Sequence, residues 1–198
     1  FCKGVGANTP DITNSSRRIK KSEYDDCQAN GVTEIVEVLV GYDGIALANA
    51  KDAVQLDLSL KDIYLALAKD IPGADGKLIP NPNKTWKDVN PALPAIAIEV
   101  LGPPPTSGTR DAFAELAMGG GAKKIAQLAA LSDLPADKVE EIKAAMAALG
   151  MPAGVYQALL EQKGKAPKGE NLFETIAYAI REDGAYIEAG ENDNLIVQ

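Results

Sequence analysis

The chain has 198 residues, of which 46% are hydrophobic and 24% charged, and its formal net charge is -8. This balance is typical of a globular protein, and no apolar run approaches the roughly 18 to 20 residues of a membrane-spanning helix. The acidic charge disfavours nucleic-acid binding, which needs a basic face. Histidine is absent, so Ser-His-Asp and Cys-His catalysis lack their base and the most common metal ligand is missing.

The amino-terminal segment is rich in turn residues and contains the two cysteines of the chain, Cys2 and Cys27. An even pair in such a segment favours a disulfide, and two unrelated thiols are the alternative. A bridge would stabilise the segment by about 3 to 4 kcal/mol and would indicate a location outside the reducing cytoplasm. A short helix is predicted over 20–29 with a cap near Ser22, and strands are predicted over 35–40 and 45–49.

The middle of the chain alternates between helix and strand signals. LSLKDIYLALAKDI predicts an amphipathic helix that is capped by Ser59 and ends before Pro72. A proline-rich stretch over 72–94 contains Trp86 and is predicted to be an ordered loop, and LPAIAIEVLG predicts a buried strand. The remaining helices are predicted over 108–118, 122–131, 135–149, 152–163 and 172–182. This order of elements predicts an α/β fold.

The stretch GPPPTSGTRDAF places hydroxyl groups and a glycine where a helix is predicted to begin. A helix start exposes N–H groups without intrahelical partners and carries partial positive charge. Ser107, Gly108 and Thr109 would therefore form a seat for a phosphate, sulfate or carboxylate, with the Arg110 guanidinium as a helper. Serine and threonine are also the ordinary residues for capping a helix, so a purely structural cap remains open.

Two further readings of this motif also stay open. In the first, Ser107 or Thr109 is the nucleophile of a phosphatase-like enzyme, whose base would be Lys123, Lys124, Asp111 or a bound metal. In the second, the oxyanion seat is vestigial and the protein is a binding module with a surface or assembly role. A second candidate anion loop, PDITNSSRRI, joins the Ser15 and Ser16 hydroxyls to Arg17; taken alone, it reads as a polar loop.

Segments spread over nearly the whole chain carry a family resemblance. PDITNSSRRIKKSE, VGYDGIALANAKD, LSLKDIYLALAKD, TWKDVNPALPAIAIEVLGPPPTSGTRDAF and REDGAYIEAGENDNLIVQ occur in the order and spacing found in periplasmic phosphate-binding proteins of ABC importers. The Ser-Gly-Thr motif after a strand, and the tryptophan segment before it, are the more specific parts. The sequence thus resembles this family almost end to end.

The resemblance implies an α/β fold of the type II periplasmic binding protein class, with two lobes and an oxyanion held in the cleft. Residues 1–53 would be part of the first lobe with a crossing strand, 54–188 the second lobe, and 189–198 the start of a return crossing. The chain would then be a fragment that is mostly second lobe. The implied protein is a binding protein and not an enzyme, with no catalytic residue, metal or cofactor. It would lie in the periplasm or elsewhere outside the cytoplasm, deliver inorganic phosphate or a similar oxyanion to an ABC permease in the membrane, and bind no nucleic acid.

Carried over by motif, Ser16 and Arg17 belong to the phosphate loop of the first lobe. Ser107, Gly108 and Thr109 form the seat of the second lobe, and Arg110 assists them.

The sequence departs from the family pattern close to these residues. Many relatives carry an arginine four residues before the motif serine and an acidic residue two before it, where this chain has Pro103 and Pro105. Arg17 stands where some members place an aspartate. Because an acidic group accepts a hydrogen bond from protonated phosphate but not from sulfate, the proline at position 105 bears on the choice between these two anions.

Overall fold

The computed structural model describes residues 1–15, 17–163 and 169–190. The chain divides into two compact units, Phe1–Leu47 and Ala48–Gln198. Ser16 and most of the expected return crossing over 189–198 lie outside the described residues. The assignment of the chain to two lobes, with a boundary after residue 53, stays a prediction.

The first unit is built around helix α1 (Lys21–Ala29) and the disulfide between Cys2 and Cys27, which confirms the predicted bridge. The helix begins after Lys20 and not at the predicted cap Ser22. Its first turn is fixed by the Glu23 carboxylate, which accepts a hydrogen bond from the Lys20 N–H at 2.9 Å. At the other end of the helix the Asn30 side chain donates to the Cys2 carbonyl at 2.8 Å. This hydrogen bond and the disulfide both hold the segment around Cys2 to the end of α1.

The strands predicted over 35–40 and 45–49 are wrong for the described chain. These segments join no ladder, and Val36 and Val40 are 85% and 95% exposed. Alternating β-branched residues favour a strand, but a strand also needs a hydrogen-bonded neighbour and an apolar face to pack on. Neither is supplied to this segment by the described residues.

The second unit mixes helices with short strands, as the predicted α/β order requires. Up to residue 102 it contains α2 (Leu60–Leu67), β1 (Asp70–Pro72), β2 (Leu78–Pro80), α3 (Trp86–Val89) and β3 (Val100–Gly102). After residue 107 it contains α4 (Gly108–Phe113), a π-helical stretch (Ala114–Gly119), α5 (Gly120–Ala122), α6 (Ala126–Ser132), α7 (Val139–Ala148), α8 (Gly154–Lys163), α9 (Gly169–Ala177) and β4 (Tyr186–Glu188).

Two small sheets hold the strands of this unit. Strands β1 and β2 form an antiparallel pair, and β3 runs parallel to β4 with Val100 opposite Tyr186. The β3–β4 pair joins the segment before the Ser-Gly-Thr motif to the end of the unit. The strand predicted over 93–102 is therefore shorter than expected, since only its last three residues enter a ladder and Ala97 makes an isolated bridge to Thr85.

Local signals placed α2 correctly, whereas the stretch over 72–94, predicted to be an ordered loop, also contains β2 and the short helix α3. Ser59 caps α2 as predicted, because its hydroxyl accepts from the Asp62 N–H at 3.2 Å while the Asp62 carboxylate accepts from the Ser59 N–H at 2.9 Å. The proline-rich stretch is ordered, with Trp86 only 5% exposed. The last helix, predicted over 172–182, ends instead at Ala177, because the Arg181 N–H is used by the Leu67 carbonyl at 2.9 Å.

The core of the second unit lies between α2 and the later helices. Its largest fully buried side chains come from α2, the π-helical stretch and helices α6, α7 and α9, together with the residue that follows α7: Tyr64, Leu67, Met118, Leu128, Leu131, Ile142, Leu149 and Leu172. No helix in the described part of the chain is long and apolar enough to cross a membrane.

The α2–α5 contact depends on a glycine, and we expect Gly121→Ala to lower the free energy of unfolding by about 1 to 3 kcal/mol. A Cβ at position 121 would overlap the Leu60 carbonyl and lie 2.7 Å from the Tyr64 Cβ. Gly120→Ala is the matched control, since among the described residues its Cβ would meet the flexible end of the Leu60 side chain, at 3.1 Å, and no backbone atom of α2. Urea unfolding monitored by Trp86 fluorescence measures both. Equal losses in the two variants would show that the backbones are not in close contact.

Candidate functional site

The Ser-Gly-Thr motif lies at a helix start, as predicted. Ser107 is 9% exposed, and its N–H donates to the Pro104 carbonyl at 3.0 Å. The Ser107 hydroxyl accepts from the Thr109 N–H at 3.2 Å, and the Ser107 carbonyl accepts from the Asp111 N–H at 3.2 Å. Ser107 is thus the N-cap of α4.

The helix that begins here is longer than α4 alone. Phe113, Ala114, Gly119 and Gly120 all have right-handed helical torsions, so α4, the π-helical stretch and α5 run on without a break over 108–122. The peptide dipoles of a continuous helix add up, and partial positive charge therefore gathers at its amino end. That end is the Ser107–Thr109 corner, which we define as residues 107–109.

The Ser107–Thr109 corner is partly open to solvent, because Ser107 is buried while the two residues after it are exposed. Gly108 and Thr109 are exposed, and among the described residues no atom beyond the chain neighbours of Gly108 lies within 4 Å of the place where its Cβ would stand. The first N–H groups of a helix have no intrahelical acceptor, and the Ser107 hydroxyl satisfies that of Thr109. The amides of Gly108 and Arg110 and the hydroxyls of Ser107 and Thr109 are therefore the candidate donors of this corner.

Arg110 lies beside the corner and is fixed by a residue that sequence reasoning missed. Its guanidinium carbon is 4.1 Å from the centre of the Tyr186 ring, and its Nη1 is 3.4 Å from the Pro103 carbonyl oxygen. The Tyr186 hydroxyl donates to the same carbonyl at 2.9 Å. The contact requires a glycine at position 102, where a Cβ would overlap the Tyr186 hydroxyl, but no local sequence signal marks Tyr186 itself.

The other predicted anion loop belongs to the first unit. Arg17 makes a two-pronged ion pair with Glu23, with nitrogen–oxygen distances of 3.0 and 2.7 Å. This hydrogen-bonded pair lowers the pKa of Glu23 to about 2, with help from the Lys20 N–H. Because Glu23 is a carboxylate at neutral pH, an anion that bound to Arg17 would compete with it. Ser16 lies outside the described residues, and the role of both residues stays a prediction.

The lysines considered as catalytic bases lie far from the motif hydroxyls. Lys123 and Lys124 follow the carboxyl end of the helix that starts at Ser107, and a rise of 1.5 Å per residue separates the two ends by roughly 24 Å. Lys123 Nζ lies 5.7 Å from the centre of the Phe173 ring. A base must lie within hydrogen-bonding distance of its nucleophile, so neither lysine could activate Ser107.

Comparisons with known proteins identify the family of the chain. A family model described as "PBP superfamily domain" matches residues 1–195. The phosphate-binding protein PstS of Staphylococcus saprophyticus is 32% identical over 122 residues, which is 60% of this chain and 33% of that protein. The PstS of Staphylococcus epidermidis is 33% identical over 122 residues, 60% of this chain and 32% of that protein. Protein SphX of Synechococcus elongatus is 30% identical over 115 residues, 58% of this chain and 30% of that protein.

The chain spans about a third of the length of the curated relatives it matches. No solved structure matches it.

Proposed function

The chain belongs to the PBP superfamily, and on that premise we propose that it binds inorganic phosphate outside the cytoplasm and delivers it to an ABC permease. The observation that carries this proposal is the partly open Ser107–Thr109 corner at the start of a continuous helix over 108–122. The relatives it matches in two species of Staphylococcus are named phosphate-binding proteins. The disulfide between Cys2 and Cys27 agrees with an extracytoplasmic location, where such bonds persist.

The binding mechanism is hydrogen bonding without bond cleavage. Amide N–H groups of Gly108 and Arg110 and the hydroxyls of Ser107 and Thr109 donate to the oxygens of the anion, and the Arg110 guanidinium adds positive charge. These local donors act against a net charge of -8 for the chain. Ser107 serves two purposes in this mechanism, because its oxygen accepts from the Thr109 N–H while its hydroxyl hydrogen donates to the ligand.

We expect Ser107→Ala and Thr109→Ala each to weaken phosphate binding by about 1 to 3 kcal/mol, the usual cost of removing a hydrogen bond to a charged group. Titration calorimetry on the full-length protein measures this, with sulfate titrated alongside phosphate because Pro103 and Pro105 offer no side-chain acceptor for a phosphate proton. Ser59→Ala is the matched control, since Ser59 makes a cap bond of the same 3.2 Å length at the start of α2. Unchanged phosphate affinity in both site variants would reduce the motif to a structural cap.

A further inference from the structure

Tyr186 makes two contacts that meet next to the Ser107–Thr109 corner. The face of its ring lies 4.1 Å from the guanidinium carbon of Arg110, and its hydroxyl donates to the Pro103 carbonyl at 2.9 Å. Arg110 Nη1 approaches that same carbonyl at 3.4 Å. Tyrosine, arginine and the loop that leads into the motif therefore form one closed set of contacts.

The place of Tyr186 is fixed by the β3–β4 pair. Tyr186 is the first residue of β4, lies opposite Val100 of β3 and is 7% exposed. Its hydroxyl reaches over Gly102, where any side chain would collide with it. Burial raises the pKa of Tyr186, so the phenol stays protonated at neutral pH and continues to donate to Pro103.

An arginine on the first turn of a helix would ordinarily sample many rotamers. Ordering such a side chain costs conformational entropy, which a ligand must offset if the free protein does not. A guanidinium stacked on an aromatic face is already restrained by a favourable contact. The guanidinium has five N–H donors, so the contact of one nitrogen with the Pro103 carbonyl leaves others for a ligand.

We propose that Tyr186 is a positioning residue that holds the guanidinium of Arg110 ready beside the Ser107–Thr109 corner, where it binds a tetrahedral oxyanion such as phosphate. The ligand in this proposal rests on the function proposed above. Tyr186 does not touch the anion. It acts through Arg110 with the face of its ring, and through the loop over 103–106 with its hydroxyl.

Phosphate titrations of the full-length protein test the proposal with a double-mutant cycle. We expect Tyr186→Leu and Arg110→Ala each to weaken binding about tenfold, which is about 1.4 kcal/mol. The double variant should be within about threefold of Arg110→Ala, because only the hydroxyl contact with the loop over 103–106 remains for it to lose. Tyr186→Phe keeps the ring and should bind within about threefold of the unchanged protein.

Tyr156→Leu is the matched control for the loss of a buried tyrosine. Tyr156 is 6% exposed and has the Lys143 ammonium 5.6 Å from its ring centre, on helices other than the one that starts at Ser107. Tyr156→Leu should lower the free energy of unfolding about as much as Tyr186→Leu does, and it should leave phosphate affinity unchanged. If Tyr186→Leu and Arg110→Ala prove additive, Tyr186 supports only the fold, and the proposal is overturned.

A second measurement does not depend on phosphate. Stacking on the Tyr186 ring should shift the side-chain NMR signals of Arg110 upfield, and the shift should persist in Tyr186→Phe and vanish in Tyr186→Leu. If Tyr186→Leu does not fold, the Arg110 signals of the unchanged protein and of Tyr186→Phe decide the question. The proposal is overturned if neither protein shows the upfield shift. If the unchanged protein binds no phosphate, the proposed function and the ligand assigned to Arg110 both fail. The ring shift then still decides whether Tyr186 holds the arginine.

Discussion

Replacing Arg181 with alanine is expected to lower the free energy of unfolding by about 3 to 5 kcal/mol. Arg181 is 4% exposed, and its guanidinium donates to the carbonyls of Ala66 at 3.1 Å and Asn83 at 2.8 Å. It also forms an ion pair with Asp183, in which Nε lies 2.7 Å from a carboxylate oxygen. Alanine would remove all of these donors and leave buried carbonyls without partners.

One carbonyl that would lose its partner, that of Ala66, lies at the carboxyl end of α2. The last four carbonyls of a helix have no intrahelical partner. In α2 the Leu65 carbonyl accepts from the Asn81 and Asn83 side chains, the Ala66 carbonyl from the Arg181 guanidinium, and the Leu67 carbonyl from the Arg181 N–H. A cation at this end also complements the helix dipole. Arg181 thus caps the helix that supplies Tyr64 and Leu67 to the core.

Urea unfolding followed by Trp86 fluorescence measures the loss, and Arg18→Ala is the matched control. The Arg18 side chain is 88% exposed and forms an ion pair with Glu37 at 2.8 Å, so its removal should change the free energy of unfolding by less than about 0.5 kcal/mol. The loss of stability in Arg181→Lys should lie between those of Arg181→Ala and Arg18→Ala, since an ammonium keeps the charge but not the planar arrangement of donors. An Arg181→Ala variant as stable as Arg18→Ala would refute the capping role.

The ion pair of Arg181 is maintained over a wide range of pH. Hydrogen bonding from Arg181, and then from Lys84, holds the pKa of the Asp183 carboxyl well below its usual range. A carboxylate with a depressed pKa contributes stability that is complete above its unfolded pKa of about 4 and is lost only as the pH falls toward its lower folded pKa. Mild acidification therefore leaves the Arg181–Asp183 pair intact.

Features that depend on neighbouring residues could be predicted from the sequence. The Ser59 cap of α2 and the helix start at Ser107 both depend on a hydroxyl two or three residues from the N–H that it caps. The corner with Ser107, Gly108 and Thr109 could be located in the same way. Helix starts carry this local signature because their unpaired N–H groups need an acceptor at a fixed spacing.

Features that depend on distant partners could not be predicted. Arg181 lies where the pattern predicted a helix over 172–182, and nothing local shows that its guanidinium reaches the end of α2. Tyr186 likewise gave no sign that it would lie under Arg110. The strands predicted over 35–40 and 45–49 failed for a related reason, because strand propensity is local whereas the partner strand is not. A side chain's long-range contact has no fixed spacing in the sequence, so pattern reasoning does not find it.

Reduction of the disulfide between Cys2 and Cys27 is expected to destabilise the first unit by about 3 to 4 kcal/mol and to leave the second unit folded. The bridge joins residues 25 positions apart in sequence. Among the described residues of Phe1–Leu47, the buried apolar side chains are those of Cys27 and Val32. A unit with so small a core depends on a covalent link to offset the entropy of ordering its chain.

Hydrogen exchange with and without reductant measures the effect locally. We expect the Asn30 and Val32 amides, which donate to carbonyls of the α1 end at 3.1 and 2.9 Å, to lose protection on reduction. Amides of α6 and α9 in the second unit should keep their protection, because these helices pack through the fully buried Leu128, Leu131 and Leu172 and carry no cysteine. A variant with both cysteines replaced by serine should resemble the reduced protein and should not respond to reductant. Protection of α1 that survives reduction would mean that its ion pairs, led by Arg17 with Glu23, hold the unit together without the bridge.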